Sequence, residues 1–488
     1  MFAIFLTSGL FLGWSLGAND AANVFGTAVG TRMISFKKAA IFCGIFVILG
    51  AVVSGAGAAK TLGELGAVNA IAGAFVVALA AAITVYWLTV LGYPVSTTQA
   101  IVGAIIGWDL FSGALIDYGA LEEIVLSWVI SPVLAAIFSA LLYKVIAYGI
   151  KCGKVHMFSL DALTRAGLMI AGIAGSYSLG ANNISNVVGI FVPISPFAEI
   201  SFLGLFKLNA AQQLFLIGGV AIAVGTFTYG KKVMLTVGQG ITEMSPVAAF
   251  TAVLTNAVVL FIFASQDLEA FLIGHGLPAF PLVPVSSSQA IVGSVIGIGL
   301  VKGGRGIRWR MLGEITGAWI ATPIAAILIS FVSLFILQNV FQQKTYIPVE
   351  YKVTVSADQR IKEAGIQTDR LADLRDKTYP TASRFQKAVS ERMSLDAGQM
   401  SVVMSSTEID RTMVTSQSVN RANGSALSDD QKQALQKLWG KTFEHRWQME
   451  KALADLSPAW RMKPGDKERN GQVQADLDYV YRLIRATD

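Results

Sequence analysis

The sequence predicts an all-α polytopic membrane protein, built as two inverted repeats with discontinuous or re-entrant helices and followed by a small helix-rich soluble C-terminal domain. Three observations carry this. Of 488 residues, 53% are hydrophobic and only 14% are charged, against about 25% charged in ordinary globular proteins. The charges are also unevenly placed: residues 1–340 hold 15 Lys/Arg and 12 Asp/Glu, while residues 341–488 hold 23 and 20. Finally, two polar motifs inside the apolar body each occur twice. The net charge of +6 does not gather on one soluble face, so no nucleic-acid partner is expected.

Apolar stretches lie near 2–30, 38–59, 70–108, 121–149, 165–193, 212–230, 246–301 and 310–338. A helix needs about 20 mainly apolar residues to cross the hydrocarbon core. The runs at 70–108 and 246–301 are too long for one helix and are interrupted, at Leu91-Gly92-Tyr93-Pro94 and at Leu277-Pro278-Ala279-Phe280-Pro281-Leu282-Val283-Pro284. In lipid such breaks are tolerated only where they are buried in protein or line a cavity. Each run therefore reads as a hairpin or a broken helix. The expected organisation is residues 1–150 for the first repeat, 151–340 for the second and 341–488 for the accessory domain.

The first span has no basic flank and is too long for a signal peptide, so none is expected. Cys43 and Cys152 read as packing residues rather than a disulfide pair. The histidines at 156, 275 and 445 lack metal-ligand spacing.

Orientation follows from the basic loops. Arg32, Lys37 and Lys38 form one cluster; Lys144, Lys151, Lys154 and Arg165 a second; Lys231 and Lys232 a third; Lys302, Arg305, Arg308 and Arg310 a fourth. With the N-terminus outside and each broken segment returning to the face it left, all four clusters fall on the cytoplasmic side. The loops left outside then carry Asp109, Asp117 and Glu122. The same parity places the C-terminal domain outside the cytoplasm.

The internal repeats are sharp. Gly17-Ala18-Asn19-Asp20-Ala21-Ala22-Asn23 recurs as Gly180-Ala181-Asn182-Asn183-Ile184-Ser185-Asn186. Ser96-Thr97-Thr98-Gln99-Ala100-Ile101-Val102-Gly103 recurs as Ser286-Ser287-Ser288-Gln289-Ala290-Ile291-Val292-Gly293. A third echo sets Glu123, Trp128 and Pro132 against Glu314, Trp319 and Pro323 at identical spacing. By the orientation above, the halves start on opposite faces, an architecture common among secondary transporters.

Each motif has a physical reading. A carboxylate inside a membrane span is costly and marks a functional site by default. Asp20, with the amide oxygens of Asn19 and Asn23, offers hard ligands for a small alkali cation. An interhelical polar clamp would use the same residues, but its recurrence in two copies favours the site. In the second motif, hydroxyls at 96–98 follow a break and open a new helix. They lie beside the unpaired N–H groups and positive dipole end of its N-terminus. That is an anion site made without a formal positive charge, suited to phosphate or a similar oxyanion. Ordinary N-capping needs one hydroxyl; here three stand in a row, twice, each time before Gln.

At these residues the chain resembles the inorganic phosphate transporter (PiT) family of sodium- or proton-coupled symporters, over residues 1–340. The resemblance implies that Ser96, Thr97, Thr98, Gln99, Ser286, Ser287, Ser288 and Gln289 bind the anion. It implies that Asp20, Asn23, Asn183 and Asn186, with Asn19 and Asn182 alongside, bind or orient sodium. Three positions depart from the family pattern. Asn183 stands where the second copy commonly has Asp, Val47 where many relatives carry Glu, and Leu235 where another Glu commonly precedes Thr-Val-Gly. Fewer intramembrane carboxylates bear on the number of coupled cations and on the substrate. Asp20, which related sulfate permeases can lack, favours phosphate.

The expectation is a multi-pass protein of the cell (inner) membrane that imports inorganic phosphate by alternating access, coupled to sodium as a co-transported ligand, with no resident cofactor. The alternatives are a sulfate or other oxyanion symporter, possibly proton-coupled, and an anion channel. The chain lacks a His/Glu metal pair in the membrane, so it does not read as an enzyme. Glu123 and Glu314 are read in the first turn of their helices, either stabilising the helix start or serving a cation or gate. Gln212, Gln213, Gln239 and Asn256 read as interhelical hydrogen-bonding residues.

In the tail, Ser428-Asp429-Asp430-Gln431 has the form of a capping box. It predicts a helix with Ala434, Leu435, Leu438 and Trp439 on one face. A final helix near 472–486 has Val473, Leu477, Val480, Tyr481 and Ile484. The Ser/Thr/Asn-rich stretch 401–425 reads as loop or short strands. A lid, a homodimer contact and a partner-docking module are all open roles for this part.

Overall fold

The computed structural model describes residues 2–485 apart from 67, 92, 94, 154–155, 198–199, 203–205, 241–243, 305–306, 376, 424–426 and 464–465. The chain forms two compact units: Met1–Phe111 with Ile116–Phe197 and Phe202–Tyr346, and Ser112–Leu115 with Ala198–Ser201 and Ile347–Asp488.

The first unit is helical. In order it comprises α1 (Phe2–Gly30), α2 (Phe36–Ser54), α3 (Ala56–Leu65), α4 (Ile71–Val90), α5 (Thr97–Ser112), α6 (Tyr118–Gly153), α7 (Met157–Val188), α8 (Ala210–Thr228), α9 (Gly230–Gly240), α10 (Pro246–Ile262), α11 (Gln266–Gly274), α12 (Ser287–Val301) and α13 (Trp309–Asn339). Among the described residues α1, α2, α4, α6, α7, α8 and α13 are long and apolar enough to cross a membrane. The pair α10 and α11, bent by 69°, adds an eighth when taken as one span.

Both over-long apolar runs resolve into separate helices. The first becomes α4 and α5; Gly92 and Pro94, predicted to set its break, lie outside the described residues. The second becomes α10, α11 and α12. Pro278, Pro281 and Pro284 fall in the extended segment before α12, where their missing N–H groups forbid a continuing helix. The α3 and α9 helices were not predicted, being too short and mixed to stand out as spans.

Close approach of backbones holds the bundle together. A Cβ at Gly17 would overlap the Ile222 carbonyl, and one at Gly225 the Trp14 carbonyl, so α1 and α8 cross on glycines. Gly50 and Gly180 do the same between α2 and α7, against the carbonyls of Tyr177 and Val47. In lipid, small residues at crossings let helices meet closely enough for dispersion to hold them. The third echo has the same use. Gly103 on α5 lies against the Pro323 backbone of α13, and Gly293 on α12 against that of Pro132 on α6.

Several sequence expectations need correction. Asp109 is not in an external loop: it lies within α5 and is 1% exposed. Glu123 and Glu314 fall past the first turn of α6 and α13, which carry no acidic residue there. Both are exposed, and Glu314 pairs with Arg310 at 3.3 Å. Cys43 is buried as expected, but Cys152 is exposed. Lys154 and Arg305 lie outside the described residues.

The second unit packs α14 (Val355–Glu363), α15 (Ala382–Ser390), α16 (Ala397–Thr407), α17 (Ser416–Asn423), α18 (Asp429–Lys437), α19 (Arg446–Leu456) and α20 (Lys467–Arg485) around short strands. Strand Glu350–Lys352 is central, antiparallel to Thr378–Tyr379 and to Glu408–Ile409. One apolar core gathers on Phe385, Ile361 and Leu371, another on Trp460, Leu435 and Val480. The capping box at Ser428 forms both bonds, Gln431 N to Ser428 Oγ at 3.3 Å and Ser428 N to Gln431 Oε1 at 2.9 Å. Trp439 is exposed rather than buried, because α18 ends at Lys437 and the chain turns at Leu438. Residues 401–425 include most of α16 and α17, with short strands only at 408–409 and 412–413, so that stretch is more helical than expected.

Candidate functional site

Each first-motif triad sits in the buried part of a long helix, α1 or α7, and each second-motif triad at the start of a short one, α5 or α12. Asn19, Asp20, Asn23, Asn182, Asn183 and Asn186 are all between 0% and 3% exposed. Ser96, Thr97, Thr98, Gln99, Ser286, Ser287, Ser288 and Gln289 are between 0% and 4% exposed. An unpaired polar group costs several kcal/mol in such a place, so the hydrogen bonds decide the geometry.

Asparagine side chains fasten the broken segments to the long helices. Asn19 Nδ2 donates to the Val95 carbonyl at 3.0 Å. Its counterpart Asn182 donates from Nδ2 to the Val283 carbonyl at 3.1 Å and accepts from Val285 N at 2.9 Å. Ser96 Oγ caps α5 by accepting from Gln99 N at 3.2 Å, and Ser286 Oγ caps α12 through Gln289 N at the same distance.

The third residue of each triad crosses to the other repeat. Asn23 Nδ2 donates to Ser287 Oγ and Ser288 Oγ, both at 3.0 Å. Asn186 Nδ2 donates to Thr98 Oγ1 at 2.9 Å. The hydroxyls then donate onward across the same gap. Ser288 Oγ reaches the Val95 carbonyl at 3.0 Å, and Thr98 Oγ1 the Val285 carbonyl at 3.5 Å. The two helix starts are thus joined by reciprocal bonds from both halves.

Asp20 is the exception to this near-symmetry. Its Oδ1 lies 3.1 Å from Asn19 Nδ2 and 3.4 Å from Asn23 Nδ2, and its Oδ2 accepts from Thr97 Oγ1 at 3.2 Å. Asn183 Oδ1 accepts only from Asn186 Nδ2 in the corresponding place, at 3.0 Å, and brings no charge. Val47, one of the three positions that depart from the family pattern, has its backbone against Gly180 at the start of the second triad. Leu235 is 40% exposed.

Several oxygens in this cluster have no hydrogen-bond partner among the described residues: Gln99 Oε1, Gln289 Oε1, Asn186 Oδ1 and Asn256 Oδ1. Buried, partnerless amide oxygens are the ligands a hard cation selects. Asn256 on α10 also donates to the Asn23 carbonyl at 3.4 Å, which ties it to the site more closely than its sequence context suggested. Gln212 and Gln213 bond backbone carbonyls of Val52 and Leu208, and the Gln239 side chain lies outside the described residues. The main-chain carbonyls of Val95 and Val285 went unread in the sequence, because a carbonyl's role leaves no mark on residue type.

A polytopic helical protein with a buried polar centre where two broken helices begin has the build of a membrane transporter. The chain belongs to the phosphate transporter family, whose profile matches residues 16–330. It is 30% identical over 330 residues to a protein named as a phosphate permease in Methanocaldococcus jannaschii, covering 67% of this chain and 95% of that one. It is 26% identical over 428 residues to the chloroplastic inorganic phosphate transporter 2-1 of Arabidopsis thaliana, covering 66% and 70%. Its fold is similar to a solved structure described as the sodium-dependent phosphate transporter, with a TM-score of 0.55, 24% identity, and coverage of 69% of this chain and 98% of that chain. The chain is therefore a transport protein by family.

Proposed function

We propose that the protein imports inorganic phosphate by alternating access, coupled to sodium, through two inverted repeats. The observation that carries this reading is the reciprocal bonding of the α5 and α12 helix starts through Asn23 and Asn186. Two positive helix ends facing one buried polar centre suit a small oxyanion. The anion ligands are the hydroxyls and backbone amides at 96–98 and 286–288, with the side-chain N–H groups of Gln99 and Gln289 beside them. Sodium takes Asp20 with Asn19 and Asn23 in one half, and Asn182, Asn183 and Asn186 in the other.

Charge arithmetic supports cation coupling. Moving one charge through 100 mV is worth about 2.3 kcal/mol, so a phosphate dianion entering an inside-negative cell opposes about 4.6 kcal/mol. Two co-transported cations cancel that term, and a further one drives uptake. Asp20 stabilises one by charge; Asn183 offers a neutral oxygen and a weaker site.

The proposed orientation sets the basic clusters toward the cytoplasm. In support, Arg165 Nη1 donates to the Met33 carbonyl at 3.2 Å, and Lys302 Nζ lies 5.2 Å from the Tyr143 ring centre, beside Lys144 in sequence. These contacts bring three of the four basic clusters together.

The missing carboxylates at 47, 183 and 235 favour a second reading, a sulfate or proton-coupled symporter. Labelled phosphate uptake into proteoliposomes, with and without an inward sodium gradient and with excess sulfate, separates the two. Uptake that needs sodium and ignores sulfate is expected. Uptake indifferent to sodium, or blocked by sulfate, overturns the proposal.

A further inference from the structure

One difference between the two halves lies away from the polar centre. A groove of about 360 Å³ opens between α6 and α12, lined by Ala136, Ile137 and Ala140 on one side and Gly297, Leu300 and Val301 on the other, with Lys144 at one end. Ile137 and Leu300 are exposed, so the groove opens sideways, onto the apolar outer surface of the helices. The repeat supplies its own control. Pro132 and Gly297 correspond to Pro323 and Gly107, and the packing confirms the register: Gly297 lies against Ala136 and Ser139, and Gly107 against Ile327 and Ser330.

In that register Ala140 corresponds to Phe331 and Val301 to Phe111. Phe111 and Phe331 meet edge to face, with ring centres 5.6 Å apart, and fill their side of the bundle. Their counterparts are too small to do so, and this is where the groove lies. The charges follow the same split. Lys144 and Lys302 stand where the filled side has Phe335 and Ser112. Lys302 is bound over the Tyr143 ring at the groove's Lys144 end. A sideways-opening apolar groove gains dispersion contacts from a chain that fits it, and two ammonium groups at its mouth select an anion.

We infer that the groove between α6 and α12 holds an anionic phospholipid, one acyl chain lying over Ala140 and Val301 and the phosphate at Lys144 and Lys302. An acyl chain occupies the volume that the phenylalanine pair fills in the other half. Basic pockets between transmembrane helices bind lipid headgroups in this way, each basic residue near the surface adding to the attraction. The site is separate from the α12 helix start, since Lys302 follows the opposite end of that helix.

The full chain, delipidated in detergent, is titrated with phosphatidylglycerol or phosphatidylcholine of matched chains and examined by native mass spectrometry. Two lysines are expected to give phosphatidylglycerol about a thirtyfold preference. The Lys144→Gln/Lys302→Gln double variant changes only exposed side chains and is expected to abolish that preference, leaving phosphatidylcholine binding as it was. Ala140→Phe, which installs the residue of the corresponding position, is expected to close the groove to both lipids. Inorganic phosphate is not expected to displace phosphatidylglycerol. Equal binding of the two lipids, a preference that survives the double lysine variant, or displacement by inorganic phosphate would overturn the inference.

Discussion

The Asn23 amide on α1 and the Ser287 hydroxyl at the start of α12 lie 264 positions apart in the chain and 3.0 Å apart in space. Asn186 holds the same relation to Thr98, at 2.9 Å. A side chain from each half therefore positions the helix start of the other. Any movement that separates the two starts must break both bonds, so the proposed anion site and its disassembly are governed by the same atoms.

Removing Asn23 should loosen this junction. Asn23→Ala loses two bonds to hydroxyls, each worth about 0.5–1.5 kcal/mol net, and phosphate uptake in proteoliposomes is expected to fall about tenfold or more. Asn186→Ala, with one hydroxyl bond, should fall less. Undiminished uptake in both variants would show that the crossed bonds are incidental.

Asp20→Asn keeps the shape and removes the charge. Sodium-driven uptake is expected to be lost while the folded protein is still recovered from membranes. The converse change, Asn183→Asp, is expected to steepen the dependence of uptake on sodium concentration. A sodium dependence unaltered in slope and midpoint would remove Asn183 from the cation site.

The glycine contacts across the repeats predict a stability pattern. Alanine at Gly103 or Gly293 puts a methyl group into a proline backbone carbonyl and is expected to cost about 1–3 kcal/mol or more. Alanine at Gly313, which has no neighbour within 4 Å of the added carbon, should be tolerated. Thermal unfolding in detergent ranks the three.

In the second unit, burial opposes ionisation of Asp358, but hydrogen bonds from Lys362 and Arg375 outweigh it and hold the carboxyl down to about 2. Its folded value is below the unfolded one of about 3.9, so the stabilisation is present above pH 4 and is lost as pH falls toward 2. Asp358→Asn should remove that part of the acid response, measured as the unfolding temperature of the full chain against pH.

Burial also holds the His445 imidazole below its usual range. Its Nδ1 donates to the Glu408 carbonyl at 2.6 Å, and its Nε2 lies 3.0 Å from Thr354 Oγ1, an arrangement that suits the neutral ring. The unfolded chain takes up the proton first, near pH 6.5. Stability should therefore be full above that point and decline below it, and His445→Gln should flatten the decline.

The polar motifs were legible because each occurs twice, and because charge and amide groups are conspicuous among apolar neighbours. The breaks at the prolines of 278–284 were legible for the same reason. Other features left weaker traces. Pro132 and Pro323 stood out as an echo, but their contact with Gly293 and Gly103 pairs residues from opposite halves, and spacing within either half does not reveal it. Asp109 read as a loop residue from its charge, although it is buried inside α5. Trp439 read as buried from helical periodicity, which ceases to apply two residues earlier where α18 stops.

The crossed packing of α5 on α13 and of α12 on α6 also sets an order in time. When α12 leaves the ribosome, its partner α6 has long been made and can receive it. The α5 helix, made early, has no cover for Gly103 until Pro323 emerges more than two hundred residues later. Half of this molecule must therefore wait in the bilayer, with its short helix unseated, for the other half to be translated.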